Sequence, residues 1–301
     1  MADCVLEGCI ILVKNNPTSK EHYIPQVYLN GFASKDKRIY FYDLKSHHHS
    51  DQMVPIKTVC YQRDLYEYKN SNNEIIYTNN IEKALNILET MFSQKRRSIR
   101  SRIKLAGPHT RTFLSDEEGA FWITYLVIQT LRLPKVINEI TNVLEGIIPS
   151  NGEANFHRNT ALYILLPFLN KLDPNGIELR LYNELFSSIG SLRCSIAFDD
   201  NHRLFTSDNP LYMYSPTQRI QDCQKIVFPL DSSICLLYNK DELYPDNGIV
   251  PIDDFEYESI FKSISYAADE KLFTNRHLTK QEIKWIKAVR IDKNEDISHD
   301  G

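Results

Sequence analysis

From Asn80 onward, apolar side chains return every three or four positions (Ile81, Ala84, Leu85, Leu88, Met91 and Phe92), the spacing that gathers them on one face of an α-helix. Asn79 or Asn80 supplies an N-cap, so the pattern predicts a helix running to about Lys104, which Gly107-Pro108 then breaks. Ser115-Asp-Glu-Glu118 matches the S-x-x-E capping box ahead of the apolar run Phe121 to Ile128, which predicts a second helix from Asp116 that stops before Pro134. Further helices are expected at Lys135 to Ile148, Asn159 to Leu172 and Ile177 to Ser188. The polar Pro149 to Glu153 and the turn former Asp173-Pro-Asn-Gly176 separate them.

Elsewhere the period shortens. Cys4 to Val13 reads as a buried strand, Arg38 to Tyr42 as another, and Val54 to Val59 as its neighbour. Beyond 190 come short β-like runs at Arg193 to Phe198, Arg203 to Thr206, Leu211 to Tyr214, Ile226 to Leu230 and Ile234 to Tyr238, parted by turn residues at 199–201, 215–216 and 231–233. Helices are expected again at Glu256 to about Leu272 and at Thr279 to Val289. The whole predicts an α+β protein of one domain over residues 1–301. Its helical middle spans about 79–190 and its sheet-rich later part about 191–290, with a mainly antiparallel sheet built from the N- and C-terminal parts.

Composition narrows the function classes. With 42% hydrophobic and 25% charged residues the chain is an ordinary globular one, and a net charge of -4 gives no global pull toward nucleic acid or an anionic membrane. Six cysteines without a C-x-x-C pair read as reduced thiols of a cytoplasmic protein. The N-terminal run lacks a basic leader, and polar residues interrupt the most apolar stretch, Phe121 to Leu133, so neither a signal peptide nor a membrane span is expected. No P-loop or G-x-G-x-x-G occurs, which disfavours glycine-turn nucleotide binding. The oligomeric state leaves no trace in the sequence.

Several side chains carry candidate chemistry. Lys95, Arg96, Arg97, Arg100, Arg102 and Lys104 form either a phosphate-binding stripe for nucleic acid or a solvated face that meets the negative end of the helix dipole. His47 to His49 could take up a metal adventitiously, but a solvated hairpin loop explains them better. Glu82 and Glu89 lie seven apart, on one helix face about 10 Å apart. Gln129 and Arg132 share a face of an apolar helix, where a buried Arg needs a carboxylate partner, and either glutamate would serve.

The run His22-Tyr-Ile-Pro-Gln-Val-Tyr-Leu-Asn-Gly-Phe32 resembles the opening signature of the bacterial domain-of-unknown-function family numbered 4238. Tyr66, Glu82, Glu89, Gln129-Thr-Leu-Arg-Leu-Pro134, Phe205-Thr-Ser-Asp-Asn-Pro210 and Phe228-Pro-Leu230 extend the likeness in order, over His22 to Phe273. The chain departs where the resemblance implies an Asn in the late helix and Ser263-Ile-Ser265 stands instead. No assigned activity comes with the resemblance; it implies a bacterial or mobile-element setting in which such proteins look like phage-defence components.

The residues themselves make the inventory of a hydrolytic site. Glu82, Glu89 and Asp208 are expected to hold Mg²⁺ or Mn²⁺, with His22 as general acid or base alongside Gln26. Arg132 would clamp phosphate, and Gln129, Ser207, Asn209, Arg96 and Arg100 would contact a phosphodiester substrate. A metal-free hydrolase using Ser207 with His22, and a non-catalytic binding module using the basic helix, are the competing expectations.

Overall fold

The structure, a computed structural model, describes residues 20–77, 79–105, 113–150, 152–166, 178–217, 219–241 and 245–299. The expected strand at Cys4 to Val13 and the turn at 173–176 lie outside these residues.

The chain opens with a two-residue strand β1 (Glu21–His22) and a single helical turn α1 (Gln26–Leu29) entered through Pro25. A meander follows: β2 (Arg38–Asp43), β3 (His48–His49), β4 (Val54–Pro55), β5 (Tyr61–Gln62), β6 (Tyr68–Lys69) and β7 (Ile75–Tyr77). Five helices come next, α2 (Asn80–Leu105), α3 (Asp116–Leu131), α4 (Pro134–Ile147), α5 (Phe156–Leu165) and α6 (Glu178–Gly190). Then come β8 (Arg193–Phe198), β9 (Thr206–Ser207), β10 (Tyr212–Tyr214), β11 (Lys225–Pro229), β12 (Ile234–Asn239), β13 (Gly248–Pro251), α7 (Asp254–Ala267), β14 (Lys271–Thr274) and α8 (Lys280–His299).

The expected capping box is formed. Ser115 accepts from the N–H of Glu118, whose carboxylate accepts from the N–H of Ser115 in return. Helix α4 begins at Pro134 itself, since its missing N–H costs nothing at the first helical position.

One five-stranded sheet runs β10-β11-β12-β8-β13, antiparallel except that β13 lies parallel to β8. Its strands read as continuous apolar runs because both faces are covered. Ile196, Ile226, Phe228 and Leu236 face a core made with Phe92, Trp122 and Tyr125 of α2 and α3. Their neighbours Ala197, Val227, Cys235 and Leu237 face Tyr257, Ile260, Phe261 and Ile264 of α7. The second sheet, β3-β2-β14-β9, joins N-terminal to C-terminal chain by pairing Tyr42 with Leu272 and Ser207 with Leu272 on the other side.

Four expected elements change, the last of them α8, which runs to His299, ten residues past the expected Val289. The run at 54–59 is a strand only over Val54–Pro55, then a tight 3-10 turn at Ile56–Thr58, and Cys60 leaves it in the left-handed region with φ 54°. Helix α7 stops at Ala267, five residues before the expected Leu272, because the Asp208 carboxylate accepts the N–H groups of Asp269 (2.9 Å), Glu270 (2.8 Å) and Lys271 (3.0 Å) and turns the chain into β14. The strand expected at 203–206 is delayed to Thr206, since Asp199 holds the N–H and guanidinium of Arg203 in a turn.

Gly31 sits where three elements touch. A Cβ there would lie 2.5 Å from Arg96 Nη1, 2.8 Å from Asp231 Cβ and 2.9 Å from the Leu230 carbonyl. Gly31→Ala is therefore expected to destabilise the fold by about 1–3 kcal/mol in urea unfolding; an unchanged midpoint would contradict this packing.

Candidate functional site

Strand β1 alternates its side chains, sending Glu21 one way and His22 the other, and it brings the His22 carbonyl to the end of α3. There Arg132, 1% exposed, donates from Nη2 to the His22 carbonyl (2.5 Å), from Nη1 to Glu89 (3.0 Å) and from Nε to the Tyr66 hydroxyl (3.2 Å). Tyr66 in turn donates to the Arg132 carbonyl at 3.0 Å. One turn before, Gln129 donates to the Tyr23 carbonyl (3.0 Å), so α3 grips the first motif by its backbone at two successive residues. The expected carboxylate partner of the buried arginine is thus Glu89. Glu82, two turns earlier on α2, completes the group without touching the guanidinium.

The carboxyl groups behind this pair are abnormal. Glu82 is pushed up to about 7 by burial, against the pull of Arg132 and reinforced by Glu89 and Glu67, and its Oε2 finds no partner among the described residues. Glu21, fully buried, is pushed up to about 8, again by burial. Its Oε2 accepts the Tyr66 N–H at 2.8 Å, its Oε1 finds no partner among the described residues, and the neighbouring Glu67 accepts the Asn79 N–H at 2.9 Å. Burial thus favours the protonated form of Glu21, and the charge of Glu67 pushes in the same direction. The buried Tyr125 hydroxyl also lacks a partner among the described residues, and Arg132 and Glu89 both act on it electrostatically.

His22 contributes less than expected. Burial lowers the pKa of its ring, which lies tilted 5.7 Å from Tyr61, and its carbonyl rather than its imidazole meets Arg132. Gln26 is exposed at the start of α1.

The two motifs do meet, through other residues. Tyr28 donates to the Pro229 carbonyl (2.8 Å) and hydrogen-bonds with Thr206 Oγ1 (2.8 Å), while Tyr23 and Asp208 line one cavity of about 310 Å³. Burial raises Asp208 to about 6, and three backbone N–H groups pull against that rise. Those N–H groups occupy its oxygens in closing the turn into β14. Ser207, fully buried, bonds the backbone of Asn209, and Asn209 reaches the Ala267 carbonyl at 3.1 Å, so neither the expected nucleophile nor its neighbour is presented to a substrate.

Two of the residues expected to hold a metal are engaged by protein groups. Glu89 is ion-paired with Arg132, Asp208 is held in a backbone turn, and among the described residues no three His, Cys, Asp or Glu side chains gather to hold an ion. The basic stripe is likewise dispersed. Arg96, 8% exposed, donates to the carbonyls of Tyr28 and Leu230 (3.3 Å each), Arg100 pairs with Asp231 (2.9 Å), Arg102 pairs with Glu118 (2.8 Å), and Lys95 lies over the Phe121 ring. Of the three histidines, His49 is packed rather than solvated, with its ring 4.9 Å from that of His277 and its Nε2 accepting from the Leu278 N–H. The four described cysteines are free thiols, and no described helix is long and apolar enough to cross a membrane.

Fold and site together define an α+β protein whose first motif is clamped by a buried arginine amid protonatable carboxyls. The chain belongs to the family described as "Protein of unknown function (DUF4238)", whose profile matches residues 20–277. No curated protein and no solved structure matches it.

Proposed function

We propose that this protein is a hydrolase that works by carboxyl acid–base chemistry, with Glu82 as the proton-transferring group beside the Arg132–Glu89 pair. The observation that carries the reading is the state of Glu82. Its partly buried carboxyl, one oxygen unpartnered, is raised to about 7 and so gives and takes a proton near neutral pH. The substrate class proposed is the phosphodiester that the residue inventory suggests; Arg132, 1% exposed and paired with Glu89, orders the site and does not itself meet the substrate. The reaction is not routed through Mg²⁺ or Mn²⁺, since Glu82, Glu89 and Asp208 do not fit a common ion.

The test is hydrolysis of chromogenic phosphodiesters and RNA by the full chain in a chelator. Turnover that survives chelation and falls by roughly a hundredfold or more in Glu82→Gln is expected. Turnover that needs a divalent ion, or that Glu82→Gln leaves intact, would sink the proposal. The phage-defence setting belongs to the same proposal. A host carrying the Glu82→Gln form should lose any protection that the parent chain confers in plaque counts, and equal protection by both would contradict it.

A further inference from the structure

Once the internal partners of the basic helix are accounted for, two of its cations still face a cavity. Arg100 and Lys104, four residues and about one turn apart on α2, line a space of about 550 Å³ together with His202 and Ser233. Arg100 spends one nitrogen on Asp231, whose other oxygen accepts the N–H of Ser233 (2.8 Å) and fixes the turn between β11 and β12. Opposite it, His202 holds the left-handed conformation (φ 53°), which a non-glycine residue adopts at a cost, and its Nδ1 hydrogen-bonds with Ser233 Oγ. With Nδ1 engaged by Ser233, Nε2 is the ring nitrogen left for a ligand in the cavity that His202 lines. Phe198, Ile249 and Pro251 give the same cavity an apolar wall, and the exposed Asp200 lies among its lining residues.

We infer that this cavity binds a nucleoside monophosphate. The dianionic phosphate would sit between the Arg100 guanidinium, the Lys104 ammonium and His202 Nε2. The planar base would lie against Phe198 and Pro251, and Asp200 would accept from a sugar hydroxyl. The carbonyl end of α2 carries partial negative charge there, so the phosphate depends on these side chains and not on the helix dipole. None of these residues belongs to the Glu82 cluster, so the inference stands apart from the hydrolase reading.

Calorimetry of the full chain with AMP, adenosine and inorganic phosphate tests it. Saturable one-to-one binding of AMP is expected, with adenosine and inorganic phosphate each at least roughly tenfold weaker. Lys104→Gln, at an exposed position with no internal partner among the described residues, should weaken AMP at least roughly tenfold while moving the melting temperature by no more than about two degrees, the scale of losing one surface charge at a helix end. His202→Ala should weaken AMP as well. No saturable binding at millimolar AMP, equal binding of inorganic phosphate alone, or AMP affinity unchanged in Lys104→Gln would each overturn the inference.

Discussion

Arg132→Met is expected to lower the unfolding free energy by about 3–5 kcal/mol, among the largest effects of any single substitution in this chain. The guanidinium is 1% exposed and serves Glu89, the Tyr66 hydroxyl and the His22 carbonyl at once. A methionine of similar length fills the volume but leaves a carboxylate and a carbonyl unpaired in the interior, where each costs its full desolvation. Lysine does not restore the site, because a single ammonium cannot reach three acceptors fixed by a planar fork. Urea unfolding of Arg132→Met, Glu89→Gln and the double variant measures the coupling between the two. A coupling energy near zero would mean that the pair does not hold α2 to the end of α3.

Stability should fall as the solution is made more alkaline, with Glu21 as the main cause. Its folded pKa of about 8 lies above its ordinary value near 4.5, so the folded state binds the extra proton between those limits. The contribution is complete below the ordinary value and is lost as pH rises through about 8. Glu82, raised to about 7, acts in the same direction. His22 has the opposite sign: its pKa is lowered by burial, so its contribution is present in neutral solution and is lost as pH falls through the folded value. The melting temperature is therefore expected to peak in mildly acidic solution and to drop by several degrees toward pH 8.5, on the order of a few kcal/mol. Glu21→Gln keeps an acceptor for the Tyr66 N–H and removes the buried titrating group, so it should flatten that slope and leave the variant more stable than the parent at alkaline pH. A parent whose melting temperature is level from pH 5.5 to 8.5 would contradict the burial-raised carboxyls of Glu21 and Glu82.

Local rules carried the helices well. The apolar periodicity of α2 and the capping box of α3 state their own boundaries, and the glutamate partner of Arg132 followed from the cost of burying a charge. What failed depended on contacts across the chain. Leu272 and Phe273 continue the apolar texture of α7, and only the Asp208 carboxylate, some sixty residues upstream, converts them into a strand. Asp208 is legible both as a turn-forming aspartate and as a candidate metal ligand, and its carboxylate is engaged in the turn. Glu21 and Glu67 went unnoticed because a glutamate beside a histidine or between two tyrosines is ordinary on a surface; their burial comes from the pairing of β1 with β5 and from the Tyr66 N–H. The one available signal was Glu21's place directly before a motif whose members are mostly apolar. The basic run on α2 misled for a simpler reason, since sequence gives the sign of a charge but not the acidic residues, Asp231 and Glu118, that will face it.

The central claim is that Glu82 exchanges a proton near neutral pH in a site built around Arg132. The direct measurement is the carboxyl ¹³C titration of Glu82, assigned by its loss from the spectrum of Glu82→Gln. A midpoint near 7 is expected from its buried position and from Glu89 and Glu67 beside it. A midpoint at the ordinary value of a solvated glutamate, near 4.5, would contradict both the burial of this carboxyl and its role in catalysis.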